Sequence, residues 1–247
     1  MLARADLKVI LFDMDGVLVD VSRSYRRAIE ETVMHFTGRK IPASTVQRYK
    51  NVGGFDDDWK LTHAIIANSG MEVPFPRVVE EFQKRYRGES WDGFIAEEPP
   101  FIKTRTLDAL CRISRIMGLV TGRPKVEACW TLERFGWKKY FPLVVSKEKQ
   151  EGRRIPDPFP LQHALAILSA AGLDATPEQS VYIGDSADDM HAARAAGLWS
   201  IGLIPPCVDQ EAHVDLLQHH GAHVILRTPD ELPTLIREFA QHVAVEA

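Results

Sequence analysis

Short apolar runs recur along the chain, each bounded by polar positions: residues 8–12 (KVILF), 116–120, 143–146, 180–183, 199–203 and 223–226. Runs of this length without polar alternation predict strands buried on both faces, as in a parallel sheet. Between the later runs the apolar positions fall at helical spacing. Residues 125–135 follow Pro124, a favourable first-turn residue; 158–171 is apolar at helical intervals; 187–196 is alanine-rich and stops at Gly197. Strands alternating with helices predict βαβ units and an α/β fold, a Rossmann-like doubly wound parallel sheet with helices on both faces.

One stretch breaks the alternation. From about residue 22 to 98 the pattern is helical, with no buried strand. Helices are predicted over 23–36, with Ser22 as N-cap, and over 41–49, 56–67 and 76–86. Gly53-Gly54 and Asn68-Ser69-Gly70 separate them. A helical block placed after the first strand predicts an inserted all-helical cap domain over 20–98. The α/β core then comprises 1–19 and 99–247, with Pro99-Pro100 marking the return.

Composition narrows the class rather than the chemistry. With 247 residues, 45% hydrophobic and 26% charged, the chain can bury a sizeable core, and its net charge of −4 gives no electrostatic case for nucleic acid or an anionic membrane as partner. Cys111, Cys129 and Cys207 are scattered, without CxxC spacing, which predicts neither a disulfide framework nor a cysteine-based zinc site. The opening MLARADLKVILFDMDG lacks the long apolar core and cleavage site of a signal peptide, and no stretch is long enough to cross a bilayer. A cytoplasmic location is expected. His213, His219, His220 and His223 crowd one late stretch without metal-site spacing and read as a solvated helix end.

Four short motifs carry chemistry. Asp13-Met-Asp15-Gly16 follows the first predicted strand, where ligands of an open parallel sheet bind. Carboxylates at i and i+2 suit a division of labour in which one attacks phosphorus and the other moves protons. Gly16 allows a sharp turn beside them. Thr121-Gly122-Arg123 follows the second core strand and offers a hydroxyl and N–H groups for phosphoryl oxygens. Gly152-Arg153-Arg154-Ile-Pro156-Asp157-Pro158 precedes a helix and offers a cation, with Lys147 and Lys149 as rivals. Gly184-Asp185-Ser186-Ala-Asp188-Asp189 ends a further strand with acids suited to a hard cation such as Mg²⁺. Asp185 reads as the direct ligand, Asp189 as the residue that orients it, and Asp188 as a helix cap.

The order and placement of these motifs resemble the haloacid dehalogenase superfamily, in the branch with a helical cap inserted after the first core strand. The resemblance implies Asp13 as nucleophile, Asp15 as general acid/base and Thr121 as the phosphate-binding hydroxyl. It implies Mg²⁺ held by Asp185 and Asp189, and also by Asp13 and the backbone carbonyl of Asp15. Alignment on Pro156-Asp157-Pro158 puts Arg153 in the place of the family's lysine. Asp15 argues against the dehalogenating and phosphonate-cleaving relatives, which generally lack it. The expectation is a hydrolase acting on a small phosphorylated metabolite. A phosphosugar mutase and a catalytically idle binding module are the alternatives. In the cap, Arg23, Arg27, Lys60 and the loop containing Gly53 and Gly54 are expected to contribute to substrate choice.

Overall fold

The computed structural model describes residues 7–52, 57–206 and 208–241. Its contacts divide the chain into two compact units, Val21–Pro99 and the remainder.

The larger unit is built on β1 (Val9–Phe12), whose four side chains are all buried. The chain returns after the helical unit through a helix at Thr104–Cys111 to β2 (Ile116–Val120) and β3 (Leu143–Val145). It then crosses to β4 (Ser180–Gly184), β5 (Trp199–Leu203) and β6 (Val224–Leu226). The order across the sheet is β3-β2-β1-β4-β5-β6, and every pairing is parallel. Strands are laid down first to one side of β1 and then to the other, so the switch point lies between β1 and β4, where a doubly wound sheet opens a crevice at its carboxyl edge.

Alternate residues of the strands face opposite layers. Val9, Leu11, Val120, Val145 and Tyr182 pack against Leu161, Leu165 and Leu168 of the helix Phe159–Ala170 and against Ala192, Ala193 and Ala196 of the helix Ala187–Ala196. Each buried valine or leucine among these contributes roughly 1.5–3 kcal/mol, and each alanine about 0.8 kcal/mol or less. Phe12 points the other way and meets the edge of Phe141 at 5.6 Å.

The helical unit contains Tyr25–Thr37, Ala43–Val52, Asp58–Asn68 and Phe75–Tyr86. Asp57 caps the third of these, accepting from the N–H groups of Trp59 and Lys60. Tyr25 stacks on Tyr86 at 4.2 Å, and the buried Glu98 carboxylate accepts from Ser24 Oγ (2.6 Å) and Tyr86 Oη (3.1 Å). Ser24, not Ser22, precedes the first helix, and its hydroxyl serves Glu98 rather than the helix end. The predicted loop at Gly53-Gly54 lies outside the described residues.

Where the chain leaves and re-enters the larger unit, Val19 forms an antiparallel bridge with Pro100. The Leu18 carbonyl accepts the N–H groups of Phe101 (2.9 Å) and Ile102 (3.2 Å). No helix among the described residues is long and apolar enough to cross a membrane.

Candidate active site

The sheet register brings three of the four motifs together. Phe12 is opposite Leu119 on one side and Ile183 on the other, so the residues that follow these strands lie along one edge. The Asp13 N–H extends the ladder to the Ile183 carbonyl at 2.9 Å, and the Thr121 N–H does the same to Val145 at 3.0 Å. Asp13 therefore stands between the Thr121 turn and the Asp185 turn. Ligand oxygens of Asp13, Asp185 and Asp189 lie within 4.8 Å of one another. Oxygen donors at such spacing fit a hard divalent cation.

The turn after β1 is set by Gly16, which adopts φ +74° and whose N–H donates to the Val19 carbonyl at 2.9 Å. A Cβ there would lie 2.1 Å from Asp185 Oδ2. Glycine thus serves both the backbone and the neighbouring carboxylate.

Asp189 owes its place to the start of its helix. Ser186 is the N-cap: its Oγ accepts from the Asp189 N–H, while Asp189 Oδ2 accepts from the N–H of Ser186 (3.0 Å) and of Asp185 (3.1 Å) and from Ser186 Oγ (2.7 Å). Asp189 Oδ1 accepts from Tyr182 Oη at 3.0 Å. Ser186, and not Asp188, is therefore the cap. So many donors suit Asp189 to bracing the Gly184–Ser186 turn. A Cβ on Gly184 would sit 2.4 Å from Asp189 Cβ, so the strand must end in glycine for this carboxylate to fold over it.

The charges at this edge oppose one another. Burial pushes the Asp13 carboxyl well above its ordinary pKa, and the charges of Asp189, Asp15 and Asp185 push it further. Burial also raises Asp189, against the lowering effect of its hydrogen bonds from Ser186, Tyr182 and Asp185. A cation in their midst would relieve this repulsion.

Thr121 is buried, and its Oγ1 accepts the Arg123 N–H at 3.2 Å, which leaves the hydroxyl hydrogen for a ligand. Gly122 is exposed, with open space above its Cα. Gln150 ties the turn to the following segment, donating from Nε2 to the Thr121 carbonyl at 2.8 Å.

Arg153 has partners of its own. Its guanidinium lies 3.4 Å over the Phe159 ring, pairs with Glu151 at 3.3 Å, and leaves 51% of the side chain exposed. Lys149 is exposed and Lys147 half-buried. Lys147 follows β3 closely, and its N–H bonds the Arg123 carbonyl at 3.0 Å. Arg23 and Lys60 are exposed residues of the helical unit, and Arg27 there pairs with Glu31 and Glu97 and lies over Phe94.

Two contacts escape sequence reasoning. Arg123 places both Nε and Nη2 at 2.6 Å from Asp15 Oδ1. His213, assigned from sequence to a solvated end, holds the Asp185 carbonyl at 2.7 Å; a carbonyl only accepts, so Nε2 carries the hydrogen. The TGR triplet marks Arg123 as a candidate, but its partner is remote in sequence.

The family model for haloacid dehalogenase-like hydrolases matches residues 10–203, from within β1 to the end of β5. The chain belongs to this family. As a haloacid dehalogenase-like hydrolase it is an enzyme, and its relatives share most of its length. The phosphoglycolate phosphatase of Salmonella paratyphi A is 28% identical over 219 residues, covering 80% of this chain and 81% of that protein. A protein of Phytophthora nicotianae described as imidazoleglycerol-phosphate dehydratase is 30% identical over 234 residues, covering 89% of this chain. This hydrolase spans only 50% of that relative's length. Among solved structures, a predicted phosphoglycolate phosphatase from Haemophilus somnus superposes with a TM-score of 0.75 at 20% identity, covering 94% of this chain and 99% of that one. At that identity the likeness establishes the haloacid dehalogenase-like fold alone.

Proposed function

We propose that this hydrolase is a magnesium-dependent phosphatase that cleaves a small phosphorylated metabolite through an aspartyl-phosphate on Asp13. The carrying observation is the position of Asp13 at the sheet's switch point, within 4.8 Å of carboxylate oxygens of Asp185 and Asp189. A carboxylate crowded by three others is poorly kept as a bare anion, and an oxygen-ligand cation suits the cluster.

Asp185 and Asp13 would hold the ion, with Asp189 bracing the turn through its hydrogen bonds. When bound, Mg²⁺ supplies positive charge to the transferring phosphoryl group. Asp13 attacks phosphorus in line as the bond to the leaving oxygen breaks. Thr121 Oγ1 and the N–H groups of its turn orient the phosphoryl oxygens. Asp15 gives a proton to the leaving alcohol, then takes one from the water that cleaves the aspartyl-phosphate. The further cation is assigned to Lys147 in preference to Arg153, on the strength of its half-buried position beside the Arg123 turn. A cytoplasmic setting is consistent with the scattered cysteines, of which Cys111 and Cys129 are free.

The relatives described as phosphoglycolate phosphatases make a small phosphorylated acid the first substrate to try. The test is phosphate release from a panel of phosphorylated acids, sugars and nucleotides, with Mg²⁺ and with chelator, comparing wild type with Asp13→Asn. Release by wild type alone, lost on chelation, is the expected result. No release from any compound, with bisphosphate-primed isomerisation instead, would make the protein a mutase.

A further inference from the structure

Arg123 is unusual in being an arginine whose side chain is wholly buried, at 0% exposure, against an aspartate that keeps 32%. Burying a permanent cation is costly unless its donors are satisfied. Here they converge on the site. Nε and Nη2 both reach Asp15 Oδ1 at 2.6 Å, and Nη1 donates to the buried Thr131 Oγ1 at 3.1 Å. The Arg123 N–H bonds Thr121 Oγ1, and its carbonyl accepts the Lys147 N–H. The residue is thus fixed at both its backbone and its tip, and it joins the turn after β1 to the turn after β2.

Both guanidinium bonds end on the same carboxylate oxygen. Among the described residues Asp15 Oδ2 has no hydrogen-bond partner. A carboxyl whose one oxygen is held by two guanidinium nitrogens cannot rotate freely, so its other oxygen keeps one direction. That is the requirement for a group that must deliver and retrieve a proton at one point in space.

We propose that Arg123 is a positioning residue for the proton transfers of this site, gripping Asp15 Oδ1 so that Oδ2 carries the proton to and from the reacting oxygen. The proposal rests on the reading of Asp15 as acid/base. In the first half-reaction the Asp13–phosphorus bond forms, the bond from phosphorus to the leaving oxygen breaks, and the Oδ2 proton passes to that oxygen. In the second, water attacks phosphorus, its proton passes to Oδ2, and the Asp13–phosphorus bond breaks. Arg123 exchanges no proton in either.

A merely structural ion pair would slow all substrates alike, whereas a positioned acid matters most where the leaving group is poor. The experiment follows first-turnover release of the leaving alcohol, with enzyme in excess and Mg²⁺ present. It compares an alkyl phosphate that the wild type hydrolyses with p-nitrophenyl phosphate. Arg123→Ala is expected to slow alkyl release by about 10²-fold and p-nitrophenol release by about threefold or less, against the 10²–10⁴-fold range of general acid catalysis. Arg123→Lys, which keeps the charge but not the fork, should show the same bias with a smaller loss, and it serves alone if Arg123→Ala does not fold. Asp15→Asn distinguishes the two levels of the argument. If it shows the leaving-group bias and the Arg123 variants do not, Asp15 remains the acid/base and the positioning role is overturned. If Asp15→Asn shows no bias, the acid/base reading fails and the proposal falls with it.

Discussion

The phenol of Tyr182, in the middle of β4, donates to Asp189 Oδ1 at 3.0 Å, so the strand itself orients the acid of the turn that follows it. Burial, reinforced by the charges of Asp189 and Asp13, holds the Tyr182 pKa well above its ordinary value, and the phenol stays a donor at any working pH. Tyr182→Phe removes one donor and no bulk. Partners of this kind typically change metal affinity or activity by about 10–100-fold. The Mg²⁺ concentration for half-maximal rate should rise by about tenfold, with kcat at saturating Mg²⁺ much less affected. An unchanged Mg²⁺ requirement would remove Asp189 orientation from the account of the site.

Gly16→Ala combines two penalties. The φ of +74° costs an alanine about 1–2 kcal/mol, and the new Cβ collides with the Asp185 carboxylate. Activity should fall by more than about 10²-fold while the thermal midpoint drops by only a few degrees. Assay and melting curve on the same preparation check both.

The carboxylate cluster also predicts how stability depends on pH. The Asp13 pKa lies well above its ordinary value of 3.8 in the folded chain. Between those two values the native state keeps a proton that the unfolded chain has lost. Stability of the metal-free protein therefore falls as pH rises through that window. Asp13→Asn should raise the metal-free thermal midpoint above the window, by about 2–4 °C for each kcal/mol of repulsion relieved. Added Mg²⁺ should stabilise the wild type more than the variant. A lower midpoint for metal-free Asp13→Asn would contradict this.

Lys147→Ala and Arg153→Ala separate the two cations. Arg153 is engaged by Phe159 and Glu151, so its loss should leave kcat within about threefold. Loss of Lys147 should lower kcat by about 10²-fold or more, in the range of a single charged donor at a transition state. Steady-state kinetics on one good substrate decide the matter, and the reverse ranking would return the role to Arg153.

Much of this was legible in the sequence wherever the cause is local. Uninterrupted apolar runs gave every strand of the sheet to within a residue or so, because burial on both faces leaves no room for alternation. The helix Ala187–Ala196 ends where its Gly197 predicts. Reading failed where a distant partner decides. The cap expected at Ser22 does not form: the helix starts after Ser24, whose hydroxyl donates to Glu98, 74 residues away. Arg153 is a different case: its contact with Phe159 appears only once the helix after it is folded, and the kinetics above decide its role. Arg123 and Asp15 meet only because β1 and β2 pair, and no spacing rule reports that. The helices Thr104–Cys111, Gln210–His219 and Leu232–Gln241 were not among the predicted elements, although the second carries an Asp209 cap and the first buries Thr106, Leu107 and Leu110 on one face.

The bridge between Val19 and Pro100, with Leu18 gripping Phe101 and Ile102, stitches together the two chain positions between which the helical unit is spliced. The ends of that insertion are therefore already closed within the α/β unit, and the loop-closure entropy of whatever lies between them no longer bears on strand register. Such a suture makes the helical segment exchangeable. A short linker, or a different helical block of another length, could be grafted between Asp20 and Pro100 without disturbing the edge that carries Asp13, and selection could revise one part while the other stays fixed.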